Sequence, residues 1–241
     1  FEIKEGNDVI ATVQNDANGK IAYPTIAYTL ADVGTHTYTI TETSENGAGI
    51  TVDDNTYTVA VEVTDNGDGT LATTAAYSED PIFKNKYAAV GSAKLAATKA
   101  LEGRALAADE FSFELKDSDG NVLETVKNAA DGSITFAEIE YETAGTYEYT
   151  LTEVAGSLGG VTYDKKVIDV TVTVVDNGDG TLTATAAYAP EAIFENKYAA
   201  EGSVKLAATK TLEGRTLSAD EFSFELKDSD GNVLETVKNA A

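Results

Sequence analysis

With 241 residues, 42% of them hydrophobic and 24% charged, the chain falls in the globular class and is long enough for about two ordinary domains. A formal net charge of −24 repels nucleic acid and anionic lipid, which removes both from the expected partners. Cys, Met and Trp are absent, so a disulfide framework, a thiolate metal site and a cysteine nucleophile are excluded, and no window approaches the roughly 18 apolar residues of a membrane span. The lack of oxidisable sulfur suits an exposed, extracellular life.

The chain opens inside a strand-like segment, Phe1-Glu2-Ile3-Lys4, without a signal peptide, as expected of a window cut from a longer polypeptide. Further along, alternating apolar and polar residues predict strands at 93–101, 110–116, 121–127, 133–139, 145–153, 166–175 and 181–188, with a closing strand near 192–198. Asp117-Ser118-Asp119-Gly120-Asn121 and Asp176-Asn177-Gly178-Asp179-Gly180 read as hairpin turns. They bring oxygens together but lack the spacing and closing Glu of a calcium loop, so no metal and no cofactor is expected. A helical turn is expected only around Ala107-Ala108-Asp109-Glu110 and its partner Ser218-Ala219-Asp220-Glu221. Many short strands with turns every dozen residues point to an all-β fold of immunoglobulin-like β-sandwiches.

The sandwiches come in tandem. KLAATK at Lys94 to Lys99 recurs at Lys205 to Lys210, YTITE ending at Glu42 recurs as YTLTE ending at Glu153, and IFKNKY around Asn85 recurs as IFENKY around Asn196; all three offsets are 111 (210−99, 153−42, 196−85). Residues 1–87 therefore match the back of a repeat that lacks its first strand, 88–198 make a complete repeat, and 199–241 match the front of the next. The linkers Ala88-Ala89-Val90-Gly91-Ser92 and Ala199-Ala200-Glu201-Gly202-Ser203 are too short to let neighbouring repeats wander far.

Alternate side chains of a strand point to opposite faces, so direction can be read along each strand. Leu95, Ala97, Lys99 and Leu101 share one face, which turns Lys99 inward. Tyr147, Tyr149, Leu151 and Glu153 share another, which ends a buried aromatic row on Glu153. Phe194, Asn196 and Tyr198 lie opposite Glu195 and Lys197, so Asn196 faces inward too. Taken singly, a strand-end Lys snorkels to solvent and a strand-end Glu or Asn caps a turn. Three such residues turned to one core, in repeated copies, instead call for mutual pairing or reaction. Burial of an amine beside an acid favours the neutral form of each, and a neutral amine is a nucleophile. A protonated Glu153 could polarise the Asn196 carbonyl and relay protons, so that attack by Lys99 expels ammonia and leaves an isopeptide bond.

These motifs resemble the pilin-type isopeptide linkage domains of Gram-positive surface fibres: ATK in the first strand, YTLTE in a middle strand, FEN in the last. YTLTEV is also similar to the E-box of sortase-assembled pilins, although Ala155 to Gly160 replace the Ala-Pro and Gly-Tyr that often follow. The resemblance implies a bond between Lys99 and Asn196 with Glu153 as its catalyst, and the same catalytic place for Glu42. It implies a structural shaft or stalk segment of a cell-wall pilus or fibrous adhesin, with no diffusible substrate and no turnover enzyme. The partners it implies are neighbouring repeats or identical subunits head to tail. A competing reading is a ligand-binding adhesin module presenting loops to host surface ligands, but the turns here are short, acidic and poor in aromatics. A hydrolase using Glu140 and Glu142 lacks a convergent cluster, and His36, replaced by Tyr147 in the next copy, reads as a packing residue. A Thr to Gln ester is ruled out as the repeated linkage, because the one Gln, Gln14, aligns with Lys127.

Glu42 and Asn85 have no preceding Lys strand in this chain, and Lys210 has no following Glu or Asn. Lys210 and Asn85 are thus unpaired cross-link candidates. The complementary truncations suggest that the tail of one chain completes the head of another, an arrangement that does not close on itself.

Overall fold

A computed structural model describes residues 1–240. Residues 1–199 form one compact unit and 200–241 a second, smaller one. The first unit begins with β1 (Glu2–Glu5), β2 (Asp8–Thr12), β3 (Gly34–Thr41), β4 (Ile50–Thr51), β5 (Thr56–Asp65), β6 (Leu71–Tyr77) and β7 (Lys86–Tyr87). It continues with β8 (Gly91–Glu102), β9 (Ser112–Asp117), β10 (Val122–Lys127), β11 (Ser133–Tyr141), β12 (Gly145–Glu153), β13 (Val161–Thr162), β14 (Val167–Asp176), β15 (Leu182–Ala189) and β16 (Ile193–Tyr198). The second unit holds the hairpin β17 (Ser223–Lys227) and β18 (Val233–Lys238). The fold is all-β, and no α-helix occurs among the described residues.

Between Gly91 and Tyr198 two sheets face each other. One is ordered β10-β9-β12-β14-β15, the other β11-β8-β16-β13. Their inner faces meet in one core, with Leu95, Phe113, Ile134, Leu151, Ile168, Val170 and Phe194 wholly enclosed. Each of these sits at the alternate positions that a pleated strand turns to one side, so burial of the apolar face is what selects the register. β16 runs parallel to β8, with Phe194 opposite Lys99 and Asn196 opposite Leu101. The first and last strands of the repeat are therefore direct neighbours. The head, residues 1–87, repeats one sheet in the order β2-β1-β3-β5-β6 and the β13–β16 pairing as β4–β7.

The turns follow their chemistry. Asp117 Oδ1 accepts the backbone N–H of Asp119 and Asn121 between β9 and β10, and Asp176 Oδ1 accepts that of Gly178 between β14 and β15. Two local expectations need correction. The segments at Ala107 to Glu110 and Ser218 to Glu221 make no helical turn, because Asp109 and Asp220 adopt positive φ (59° and 62°) while Glu110 and Glu221 fold back onto the N–H of Ala107 and Ser218. β13 adds a strand absent from the predicted set, since a two-residue strand carries no periodicity.

Candidate functional site

Lys99, Glu153 and Asn196 converge inside the complete sandwich. Lys99 and Asn196 come from adjacent parallel strands of one sheet, two residues out of register, a diagonal of roughly 7 Å between Cβ atoms that a lysine easily spans. Glu153, at the end of β12 opposite Phe113 of β9, reaches in from the facing sheet. Lys99 Nζ donates to Glu153 Oε2 at 2.8 Å, and Asn196 Nδ2 donates to Glu153 Oε1 at 2.6 Å. One carboxylate thus bridges the amine and the carboxamide. The side chains of Lys99 and Glu153 are wholly shielded from solvent, and Asn196 is 1% exposed.

The walls are aromatic. Lys99 Nζ lies 4.8 Å from the ring centroid of Phe111 and 6.0 Å from that of Phe113, which itself packs on Phe194 with centroids 5.2 Å apart. Burial drives the Lys99 pKa below that of an ordinary lysine, outweighing the hydrogen bond and charge of Glu153. The result is an amine closer to its neutral, nucleophilic form than one at the surface.

A residue that strand parity could not reveal completes the site. The backbone N–H of Asp164 donates to Asn196 Oδ1 at 2.7 Å. Because an N–H can only donate, this contact fixes which end of the carboxamide is oxygen. The polarising donor at the carbonyl is therefore Asp164 N–H; Glu153, expected in that role, faces the amide nitrogen. Asp164 is itself held by its carboxylate, which accepts the N–H of Glu195 and of Lys166, each at 2.9 Å. Burial pushes the Asp164 carboxyl up, but these two N–H groups and the charges of Lys166 and Lys99 more than offset it, leaving the pKa below the usual aspartate value. No sequence signal marks Asp164, which lies in the irregular segment between β13 and β14.

The head carries the corresponding parts. Asn85 Nδ2 donates to Glu42 Oε1 at 2.9 Å, and Asp53 N–H donates to Asn85 Oδ1 at 2.9 Å. Asn85 is exposed, and Glu42 Oε2 is buried without a hydrogen-bond partner. In the second unit Lys210 Nζ sits 4.9 Å from the Phe222 ring centroid, the same relation that Lys99 has to Phe111. His36, on the central strand β3, bonds Glu5 and the Asp32 carbonyl, away from these groups. Glu140 and Glu142 are exposed.

No helix among the described residues is long and apolar enough to cross a membrane. No curated protein matches the chain. Among solved structures it is similar to a mutant of the major pilin from Streptococcus pyogenes, at 17% identity over 82% of this chain and 90% of that one, with a TM-score of 0.23. The family of the Spy0128-like isopeptide containing domain (FctA) matches residues 1–88 and 95–199, which is most of the chain. With its inward Lys, Glu and Asn placed as described, the chain belongs to that isopeptide-containing pilin family.

Proposed function

We propose that this chain is a stretch of the shaft of a cell-surface pilus or fibrous adhesin, built from tandem immunoglobulin-like sandwiches that are each closed by a bond between Lys99 and Asn196 or their counterparts. The observation that carries the reading is the single shielded carboxylate of Glu153, which holds Lys99 Nζ and Asn196 Nδ2 at 2.8 and 2.6 Å. In the reaction, neutral Lys99 Nζ attacks Asn196 Cγ, and the oxygen that gains charge is met by Asp164 N–H. Glu153 takes a proton from Nζ, and the carboxyl group so formed then gives it to Nδ2. The Cγ–Nδ2 bond breaks, ammonia leaves, and an amide joins the two side chains. Every group reacts once, so the process is self-modification with no turnover.

The bond would link the first strand of a repeat to its last. Tension arriving at the linker before β8 would pass through the new amide to the linker after β16 without stretching the strands between them. The molecular role is mechanical and protective, in a wall-exposed fibre whose neighbours are further repeats or subunits head to tail. An intact mass below the encoded mass by one ammonia, about 17 Da, is expected for the complete repeat. Proteolysis should yield a branched peptide joining the Lys99 and Asn196 segments. Glu153→Ala should restore the encoded mass; a full-length mass equal to the encoded one in the unaltered chain would refute the reading.

A further inference from the structure

Phe111 stands closer to the Lys99 amine than Phe113 does, 4.8 Å against 6.0 Å from Nζ to the ring centroid. Its ring also meets that of Tyr163 edge-on, with centroids 5.7 Å apart. Tyr163 directly precedes Asp164, whose N–H holds the Asn196 oxygen. One ring therefore borders both the amine and the segment that presents the donor to the carbonyl. Yet Phe111 belongs to no strand. It closes the irregular segment between β8 and β9, where the chain turns through positive φ at Gly103 and Asp109. Something other than a sheet ladder has to fix it.

That holder is Asn128, the residue after β10, a polar side chain only 1% exposed. Its Oδ1 accepts the Phe111 N–H at 2.8 Å, and its own N–H donates to the Phe111 carbonyl at 3.2 Å. Its carbonyl accepts the Asp109 N–H at 2.9 Å, while Nδ2 donates to the carbonyls of Ala107 and Ala129 at 2.7 and 3.0 Å. The amide uses its acceptor and both donors, so the segment carrying Phe111 is tied down at three residues. The second unit repeats the arrangement: Phe222 N–H donates to Asn239 Oδ1 at 2.8 Å, beneath Lys210. We infer that Asn128 is a positioning residue for the joining of Lys99 to Asn196: by clamping Phe111 it fixes the ring that keeps water from the amine and backs Tyr163 and Asp164. The inference rests on the bond-forming reading of the site. An aromatic face attracts an ammonium, and the carboxylates of Glu153, Asp164 and Glu195 favour it too; only exclusion of water works toward the neutral amine, and it outweighs them. The ring thus promotes reaction by where it stands. Without the Asn128 side chain the buried Phe111 N–H loses its partner, and water or a shift of the segment has to supply another.

The test follows the intact mass of the full chain, synthesised unreacted in denaturant and refolded at a series of pH values, with circular dichroism reporting the folded fraction. In Asn128→Ala the rise of the rate with pH should move up by about one unit, so that below its midpoint the folded chain loses ammonia about tenfold more slowly. Adding Asn128→Ala to Phe111→Leu should move the profile no further than Phe111→Leu alone. Should Asn128→Ala not fold, Asn128→Ser, which keeps a hydroxyl donor but gives up the reach to Phe111, is read in the same way. A purely structural role lowers the folded fraction and leaves the pH profile of the folded chain in place. That result overturns the inference, as does an Asn128→Ala shift undiminished beside Phe111→Leu. An unaltered chain that never loses ammonia overturns the bond-forming reading and this inference together; ammonia lost along one profile by the unaltered chain and the Asn128 variant overturns the inference alone.

Discussion

The complete repeat and the head share the order of one sheet and two of the three site residues, yet the head lacks the counterparts of β8 and of β11. In the complete repeat β8 lies between β11 and β16, and the polar groups beneath it are shielded and paired. In the head no strand occupies that place; Asn85 is exposed and Glu42 Oε2 lacks a partner, although the Asn–Glu and Asp–Asn hydrogen bonds persist. The carboxamide and the carboxylate are thus positioned by their own strands and by the loop that presents Asp53 or Asp164. What β8 adds is the amine and the dryness. The site is assembled in two halves, a carboxamide–carboxylate pair present in both regions and a lysine strand that covers it only in the complete repeat.

The strongest way to break the difference is to prevent the proposed Lys99–Asn196 bond in the complete repeat and leave its packing. Asn196→Ala should do so. Closure of 97 residues (196−99) restricts the unfolded chain by about 4 to 5 kcal/mol, which for a domain of this size corresponds to a melting temperature lower by about 20 °C. Under force, the variant repeat should release roughly 300 Å of chain that the linked form withholds. Scanning calorimetry and single-molecule stretching read the two effects. Equal melting and equal extension for both proteins would contradict the mechanical role.

A second test exploits the amine. Burial holds the Lys99 pKa below the free-lysine value, so the ammonium persists only up to that lowered pKa, and the neutral form is reached at lower pH than for an exposed lysine. In chain synthesised in denaturant and then refolded, bond formation should accelerate about tenfold per pH unit below that pKa and level off above it. Intact mass against time at several pH values measures it. A rate that keeps climbing to the pKa of free lysine would show that β8 does not dry the amine.

The third test weakens the organised half. Asp164→Ala keeps an N–H at the position but removes the carboxylate that anchors the loop to Glu195 and Lys166. Bond formation should slow roughly 10- to 100-fold, while the final linked mass is still reached. No slowing would mean that the loop is held by other contacts.

The inward direction of Lys99, Glu153 and Asn196 is legible in the sequence because each sits in a run of strict alternation, Leu95-Ala97-Lys99-Leu101, Tyr149-Leu151-Glu153 and Phe194-Asn196-Tyr198. Period-two patterning reports which face a side chain takes even where the residue is polar. The hairpin turns are legible from Asp, Asn and Gly for the same local reason. Asp164 is invisible because its role is played by a backbone N–H, which every residue but proline carries. The turn at Asp109 misleads because Ala, Asp and Glu favour a helix start, while the Glu110 carboxylate is taken up by Arg104 and the Ala107 N–H, bending the chain back. The pairing of β16 with β8 involves a separation of almost a hundred residues, and local pattern does not encode that.

The smallest effect concerns the joint between head and complete repeat. Gly49 and Gly180 pack backbone to backbone there: a Cβ on Gly49 would lie 2.6 Å from Gly180 Cα and collide with the Ala88 carbonyl, and both glycines adopt positive φ (79° and 86°). Around them Ala88 N–H donates to the Gly49 carbonyl, Val90 N–H to the Gly180 carbonyl, and Tyr87 Oη to Asp176 Oδ1. These contacts tie the linker to both sides. Gly49→Ala should pry the joint open without touching the core, so the melting of the complete repeat should hold within about 0.5 kcal/mol. Proteolysis near residues 88–91 should speed up, and small-angle scattering should show a wider spread of shapes. If Gly49→Ala instead lowers the stability of the complete repeat as much as Asn196→Ala does, the two regions are not separate cooperative bodies joined by a stiff link, and the contrast drawn between them rests on a single folding unit.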